Sequence, residues 1–232
     1  KFDDVLVLSD YHRRVLIETE GGDGWEKVPF RKFQNGVDVS AFPTGLTRDR
    51  KKTIYVSSPD RGLAVLLELW PKLKERVPDA TLDIYYSWDL LRKREPAAFE
   101  RYVGLVKSVE HLDVRYLGGV DHATLHKAMM EAGVLSYPCT FAEVSCISMQ
   151  KAQVAGMRCV TTEFAALAET MLDKRYTVLD VVSDAGKDAY LDQLIHAFTD
   201  DYVSDDFQYA RLAVARFDWS QTALMLEKIL EH

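Results

Sequence analysis

Two patterns of apolar and polar residues alternate along most of this chain. Short continuous apolar or β-branched runs are typical of buried strands, and apolar residues at every third or fourth position are typical of helices. From residue 53 onward, the predicted strands are 53–58, 82–87, 114–117, 133–137, 159–162 and 176–179. The predicted helices between them are 62–77, 96–109, 123–132, 145–156 and 165–172. This alternation predicts an α/β fold with a Rossmann-like, doubly wound parallel sheet that helices cover on both faces.

The two ends of the chain follow other patterns. A strand at 5–9, a helix at 11–20, a glycine break at Gly21, Gly22 and Gly24, a strand-like return at 27–33 and a turn at Asn35-Gly36 make one small unit. Because this unit is too small to be a domain and 43–52 reads as a polar linker, residues 1–45 are predicted to be the remnant of an N-terminal domain with its linker. Residues 46–232 are predicted to form the Rossmann-like domain, ending in C-terminal helices at 189–202, 206–217 and 220–230.

The termini predict a segment of a longer protein. Lys1 stands almost directly before a strand, with no leader or starting methionine. Residues 230–232 resemble the start of a purification tag and also fit a native sequence.

Composition limits the classes of partner. With 232 residues, of which 47% are hydrophobic, the chain can bury one substantial core. A net charge of −7 argues against a broad nucleic-acid footprint, but it leaves room for a small phosphate-bearing ligand. Cys139, Cys146 and Cys159 lack CxxC spacing, so we expect buried, reduced thiols in a cytosolic protein. No apolar run approaches the roughly 18 residues of a membrane span.

An acidic loop between a strand and a helix is the first candidate for chemistry. Glu143 follows the predicted strand at 133–137, and Ser145 is the expected N-cap of the next helix. Gly156 is expected to end that helix in a left-handed conformation. The free amides of a first helical turn bind phosphate or sugar oxygens, and a carboxylate beside them can accept hydrogen bonds from sugar hydroxyls. The alternative is that Glu143 only complements the helix dipole, worth less than about 1 kcal/mol.

Three further positions fit a ligand at the same edge of the sheet. Arg61, in the loop Ser57-Ser58-Pro59-Asp60-Arg61-Gly62, can bind a diphosphate, or it can be a solvated arginine near a turn. At Gly118-Gly119-Val120 the backbone can approach the flat ring of a ligand, or the segment is simply a tight turn. Lys151 can reach back toward the ligand, or it is a surface lysine. His122 and His126 have metal spacing but no third ligand nearby, so no metal site is predicted. The absence of GxGxxG lowers the case for a nicotinamide dehydrogenase.

Taken in order, these stretches resemble the GT-B retaining glycosyltransferases of family 4, the glycogen-synthase-like group, over nearly the whole chain. Residues 33–38 are similar to its NG-[IV]-D link, and Arg61-Gly62 to its [RK]-G phosphate loop. Residues 117–120 are similar to its base-binding turn, and 161–170 to its T-x-x-G-G-x-x-E stretch. Residues 141–156 are similar to its signature of two glutamates eight positions apart. The resemblance implies the C-terminal half of a GT-B fold, which binds the nucleotide sugar.

The resemblance also implies roles for single residues. Glu143 meets hydroxyls of the donor sugar, Arg61 binds the diphosphate and the backbone of Val120 holds the base. The remaining donor contacts are implied for Ser57, Ser58, Gly62, Gly119, Val144, Ser145, Cys146 and Ile147. Two departures affect these roles: Lys151 replaces the glutamate that grips the ribose, and Ala165-Ala166 replace a pair of glycines. An ammonium cannot accept hydrogen bonds from hydroxyls, but it adds positive charge near the diphosphate.

The function implied is that of a glycosyltransferase in polysaccharide biosynthesis. It transfers a sugar from a nucleotide diphosphate with retention, without a cofactor or a metal, to a glycan or lipid-linked acceptor bound through the N-terminal domain. The expected location is the cytoplasm, with peripheral association of the longer protein at the inner face of the membrane. The isolated chain is expected to bind nucleotide weakly and not to turn over. Three alternatives stay open: a degenerate nucleotide-sugar-binding module, a sugar-nucleotide epimerase of the same architecture, and a plain doubly wound signalling or interaction domain.

Overall fold

Strands and helices alternate through the middle of this computed structural model, which describes residues 4–20, 24–201 and 203–231. In chain order they are β1 (Val5–Val7), α1 (Asp10–Thr19), β2 (Phe30–Lys32), β3 (Asp49–Val56), α2 (Leu63–Arg76), β4 (Thr81–Tyr85), α3 (Asp89–Arg94), α4 (Pro96–Val109), β5 (Val114–Gly118), α5 (His122–Glu131), β6 (Ala132–Tyr137), α6 (Ile147–Val154), β7 (Arg158–Thr162), α7 (Leu167–Thr170), β8 (Thr177–Val178), α8 (Asp184–Thr199), α9 (Val203–Phe217) and α10 (Trp219–Leu230). The expectations that fall on Lys1, Gly21, Gly22, Tyr202 and His232 lie outside the described residues.

Strands β3 to β8 form one parallel sheet in the order β5-β4-β3-β6-β7-β8. The chain runs outward from β3 to β5, then returns to β6 on the other side of β3 and continues outward to β8. The sheet therefore has a switch point between β3 and β6, where the loops at the carboxyl ends of the strands diverge and leave a crevice for a ligand. The predicted doubly wound parallel sheet is confirmed.

Burial explains why the strands read as continuous apolar runs. Every residue of β6 and β7 is buried, as expected for strands that are covered on both faces. Gly133 allows β6 to lie close to β3, because a Cβ added there would lie 2.6 Å from the Cα of Arg50. The three cysteines are buried and unpaired, as predicted.

The predicted linker at 43–52 is wrong over its last four residues, because β3 begins at Asp49. This part of the strand is rich in charge, but its side chains find partners. Lys52 pairs with the buried Asp83 at 3.2 Å, and Arg50 donates to the carbonyl of Asp200 at 2.8 Å. Such long side chains satisfy their charges away from the strand itself, so a charged sequence can still form a strand.

The predicted turn at Asn35-Gly36 is also wrong. Val37 instead forms a parallel bridge with Asp218, and Gly36 lies close to the ring of Trp219. A Cβ on Gly36 would lie 2.5 Å from that ring, so glycine serves close approach here instead of a turn. Upstream, β1 and β2 pair in parallel as a separate two-stranded sheet, and Ser9 caps α1 by accepting from the amide of His12 at 2.9 Å.

Two helices differ from prediction, and the C-terminal helices agree with it. The short helix α3 was not predicted. The helix expected at 165–172 is only the four-residue α7, because Ala165 is left-handed with φ 56°. Helices α8, α9 and α10 confirm the helical tail, although α8 begins earlier than expected, at Asp184. None of the helices in the described segments is long and apolar enough to cross a bilayer.

Candidate functional site

A cation and a carboxylate meet at the switch point of the sheet. Nη1 of Arg61, from the loop after β3, donates to Oε1 of Glu143, from the loop after β6, at 2.8 Å. The Glu143 side chain is only 7% exposed, whereas that of Arg61 is 33% exposed. The ring of Phe141 lies 4.1 Å from the Arg61 guanidinium carbon, a cation–π contact. The structure therefore brings together the two side chains that the sequence predicted to face one ligand.

Gly62 explains how Arg61 reaches this place. Residues Pro59–Arg61 form a short 3₁₀ turn, and Gly62 follows with φ 124°. A Cβ on Gly62 would lie 1.9 Å from the carbonyl oxygen of Pro138, at the end of β6. Only glycine meets both demands, the backbone conformation and the close approach. The loop after β3 can therefore pack directly against the end of β6.

Glu143 is held from a second side by a residue that the sequence reading missed. The hydroxyl of Tyr137 donates to Oε1 of Glu143 at 2.7 Å, and Oγ of Ser57 donates to that hydroxyl at 3.4 Å. No hydrogen bond from the described residues reaches Oε2 of Glu143, and Nε of Arg61 is buried without a partner. The available signal for Tyr137 was its position, since it is the last residue of a buried strand at the predicted ligand edge.

Helix α6 begins one residue later than the predicted N-cap implies. Its N-cap is Cys146, which makes no side-chain capping bond, and Ser145 instead accepts from Nδ2 of Asn35 at 2.9 Å. The prediction that Ser145 caps α6 is thus wrong, because its hydroxyl accepts a hydrogen bond from Asn35 in the N-terminal unit. The first turn of α6, beginning at Ile147, consequently keeps amides without a side-chain cap, which suits an anion. At the other end Gly156 is left-handed with φ 72°, as predicted.

Lys151 lies on α6 toward α5. Its ammonium is half-buried, and within the described residues it makes no hydrogen bond or ion pair with Glu143 or any other group. Burial lowers the pKa of Lys151. The pKa of His126 is also lowered, first by burial and then by the charge of Lys151. Lys151 therefore makes no direct contact with Glu143, and its reach toward a ligand stays a prediction.

The two histidines pack instead of forming a cluster of ligands. His126 stacks on Phe42 with 4.2 Å between ring centroids, and its Nδ1 lies 3.3 Å from the carbonyl oxygen of Ala41. His122 lies one helical turn away, at 5.9 Å between ring centroids. The described part of the chain has no group of three or more His, Cys, Asp or Glu side chains that could hold a metal ion.

The glycine turn after β5 lies beside the end of β4. Gly118 is left-handed with φ 72°, and its carbonyl accepts from the amide of Tyr86 at 2.9 Å. A Cβ on Gly119 would lie 2.9 Å from that of Ser87, and Val120 is 36% exposed. A cavity of about 540 Å³ opens next to this turn. Its lining includes Ser58, Asp60, Tyr86, Ser87, Asp89 and Leu90, and not Arg61 or Glu143.

The N-terminal unit contacts the loops of the site directly. Ser9 donates to the carbonyl of Val144 at 2.7 Å, in the loop that carries Glu143. The carboxylate of Glu169 accepts from the amides of Asp10 and Tyr11, at the start of α1, at 3.0 and 2.9 Å. These contacts link residues far apart in sequence, and no local pattern predicted them.

Curated relatives of this chain are phosphatidyl-myo-inositol mannosyltransferases. The Mycobacterium tuberculosis protein is 31% identical over an alignment of 237 positions, which covers 97% of this chain and 58% of the relative. The Mycolicibacterium smegmatis protein is also 31% identical, with 97% of this chain and 56% of the relative covered. The chain thus spans somewhat more than half the length of these relatives. No protein-family model matches it.

Solved structures share the fold. Sucrose-phosphate synthase from Thermosynechococcus elongatus superposes with a TM-score of 0.78 at 17% identity, covering 100% of this chain and 58% of that one. Anabaena HepE, solved in complex with UDP and glucose, gives a TM-score of 0.75 at 15% identity, covering 99% of this chain and 62% of that one.

Fold and comparisons together define a class: the chain has the fold of the C-terminal, Rossmann-like domain of the GT-B glycosyltransferases. Within that class, its curated relatives are mannosyltransferases, consistent with the family 4-like group that the motifs resemble.

Proposed function

We propose that this chain is the donor-binding half of a glycosyltransferase, and that it binds a nucleotide diphosphate sugar between the loops after β3 and β6. The observation that carries the proposal is the Arg61–Glu143 pair at the switch point, 2.8 Å apart. A cation for the diphosphate and a buried carboxylate for sugar hydroxyls stand side by side there. The relatives named as mannosyltransferases support transfer of a glycosyl group.

Arg61 and the first turn of α6 are proposed to stabilise the leaving diphosphate. Negative charge develops on the diphosphate as the glycosidic bond breaks, and preorganised donors at that position lower the barrier. The guanidinium leaves Glu143 wholly or in part and binds two phosphate oxygens, which its planar pair of N–H donors matches. Ser57, Ser58 and Gly62 form the loop around the phosphates, and the amides of Val144, Ser145, Cys146 and Ile147 meet the sugar or the distal phosphate.

Glu143 is proposed to orient the donor sugar through Oε2, the oxygen without a hydrogen bond from the described residues. The base is proposed to rest on the backbone of Gly119 and Val120. Lys151 adds positive charge on the same side and cannot replace a ribose-binding carboxylate. Retention of configuration is proposed from the likeness to the family alone, and no metal or organic cofactor is assigned to the reaction.

The acceptor is proposed to be a glycan or a lipid-linked molecule. It would be bound by a domain of the longer protein that corresponds to the part of the relatives that this chain does not span. The curated relatives are named for mannosyl transfer to phosphatidyl-myo-inositol. A mannosyl donor and a lipid acceptor are therefore the first to be tried with the longer protein. For that protein we expect a cytoplasmic reaction, with peripheral binding at the inner face of the membrane.

Calorimetric titration of the chain with UDP, GDP and their sugar derivatives tests the proposal. Arg61→Ala should weaken binding of every nucleoside diphosphate tenfold or more, because charge-assisted bonds to the phosphates are lost. Glu143→Gln should weaken binding of the nucleotide sugar more than binding of the nucleoside diphosphate alone. Arg101→Ala removes an exposed arginine on α4, away from the switch point, and should leave affinity unchanged.

The absence of heat with any nucleotide would contradict the proposal. That result would favour the second candidate, a degenerate module, for which Lys151 in the place of the ribose-binding glutamate is the supporting observation. An assay for epimerised donor tests the epimerase alternative. Glycosyl transfer by the isolated chain would contradict the expectation that this half does not turn over alone.

A further inference from the structure

Tyr137 connects the two loops of the site from below. It is the last residue of β6, and it is only 2% exposed. Its hydroxyl donates to Oε1 of Glu143 at 2.7 Å and accepts from Oγ of Ser57 at 3.4 Å. A hydrogen-bonded chain therefore runs from the phosphate loop, through the phenol, to the carboxylate.

The two donors to Glu143 differ in how firmly they are fixed. Arg61 reaches Oε1 at 2.8 Å with a long, partly exposed side chain, 33% of which is open to solvent. Tyr137 reaches the same oxygen from a rigid ring in the core, packed edge-on against Tyr55 at 5.9 Å between centroids. A diphosphate that draws Arg61 away would leave Tyr137 as the donor that fixes Oε1.

The phenol stays protonated across the ordinary pH range. Burial raises the pKa of Tyr137 far above its usual value, and nearby acidic groups raise it further. The hydroxyl can therefore always donate to the carboxylate. Because Oε1 is engaged and Oε2 has no hydrogen bond from the described residues, the carboxylate presents one defined oxygen.

We infer that Tyr137 is a positioning residue for Glu143: it holds the carboxylate so that Oε2 faces the sugar of the donor, and it couples that orientation to Ser57 in the phosphate loop. This inference rests on the proposed function. Tyr137 does not touch the ligand and acts through Glu143.

The test compares Tyr137→Phe with a matched control in binding titrations. Tyr137→Phe should weaken binding of the nucleotide sugar about tenfold, since a hydrogen bond to a charged group is lost. The affinity for the nucleoside diphosphate should stay within about twofold of wild type. Tyr190→Phe is the control, because its hydroxyl is equally buried but binds Ser136 at 2.8 Å and the Val160 carbonyl at 3.0 Å. The control should not change either affinity. Equal loss for both ligands, or no loss for the sugar, overturns the inference.

A second measurement is independent of any ligand. Thermal unfolding of Tyr137→Phe, Glu143→Gln and the double variant forms a double-mutant cycle. Non-additive shifts in Tm are expected, because Tyr137→Phe removes the donor of the shared hydrogen bond and Glu143→Gln removes the charge of its acceptor; additive shifts overturn the inference whether or not nucleotide binds. A wild-type chain that binds no nucleotide sugar refutes the proposed function, while the cycle still decides whether Tyr137 and Glu143 are coupled.

Discussion

At the scale of single residues, Ala165 has the least favourable backbone near the site. It is left-handed with φ 56°, at a position where the resembled family carries glycine. The loop it belongs to is nevertheless fixed, because the amide of Ala166 donates to the carbonyl of Glu143 at 3.0 Å. A residue with a Cβ pays about 1–2 kcal/mol in this region, so the contact to the Glu143 loop maintains a strained conformation.

Ala165→Gly is expected to raise the free energy of unfolding by about 0.5–1 kcal/mol. Relief of the left-handed strain outweighs the extra backbone entropy of glycine in the unfolded chain. Urea denaturation measures the change. Ala215→Gly, in α9, is the matched control and should lower stability by about 1 kcal/mol, the usual cost of glycine in a helix. Equal losses for both variants would refute the strain at Ala165.

Lys151 gives a prediction on pH. Burial lowers its pKa, so the folded state binds this proton less tightly than the unfolded state does. The charged ammonium therefore destabilises the fold below its folded pKa, and this penalty disappears as pH rises toward the ordinary lysine value of about 10.5. Lys151→Met should be more stable than wild type at pH 7, and the difference should shrink as pH rises toward about 10.5.

Thermal unfolding between pH 7 and pH 10.5 checks this prediction. Lys72→Met, an exposed lysine of α2, serves as the control and should show no such convergence. A difference at Lys151 that is independent of pH would mean that burial of its charge is unimportant.

At the scale of elements, the N-terminal unit is fastened by its helix. The carboxylate of Glu169 accepts from two amides at the start of α1, where the helix dipole favours negative charge, and Lys32 approaches the same carboxylate at 3.4 Å. Glu169→Ala should lower the free energy of unfolding by about 1 kcal/mol, the usual value of a lost helix cap. It should also speed hydrogen exchange at the amides of Asp10 and Tyr11.

The control for this prediction is Glu75→Ala, an exposed glutamate on α2, which should change neither stability nor exchange. Unchanged exchange at the start of α1 in Glu169→Ala would show that other contacts hold the unit. Ser9 and Asn35, which bind the loop at Val144 and Ser145, would then be the remaining candidates.

Elements with a clear period were predictable, and elements defined by distant partners were not. The strand β6 and the helix α4 follow directly from apolar runs and a 3.6-residue stripe. The start of β3 could not be predicted locally, because its charged side chains find partners such as Asp83, far away in sequence. The Asn35-Gly36 pair signalled a turn locally, whereas Trp219, nearly two hundred positions later, determines its conformation.

At the scale of the whole molecule, topology made the site predictable. Alternating strands and helices imply a parallel sheet, and a parallel sheet gathers its loops at the carboxyl edge. The meeting of Arg61 with Glu143 follows from that rule. The sequence could not predict the 2.8 Å pairing, the role of Tyr137 at the end of β6 or the occupation of Ser145 by Asn35, because each depends on packing between segments far apart in the chain.

The most direct test of a shared donor site is an amide and side-chain NMR titration of the chain with a nucleotide diphosphate sugar. Binding at the switch point predicts shifts concentrated at residues 57–62, 118–120 and 143–148, together with a change at the Arg61 guanidinium as it moves from Glu143 to phosphate. Shifts confined to other surfaces, such as those of helices α4 and α10, or no shifts at saturating ligand, would contradict a site built on Arg61 and Glu143.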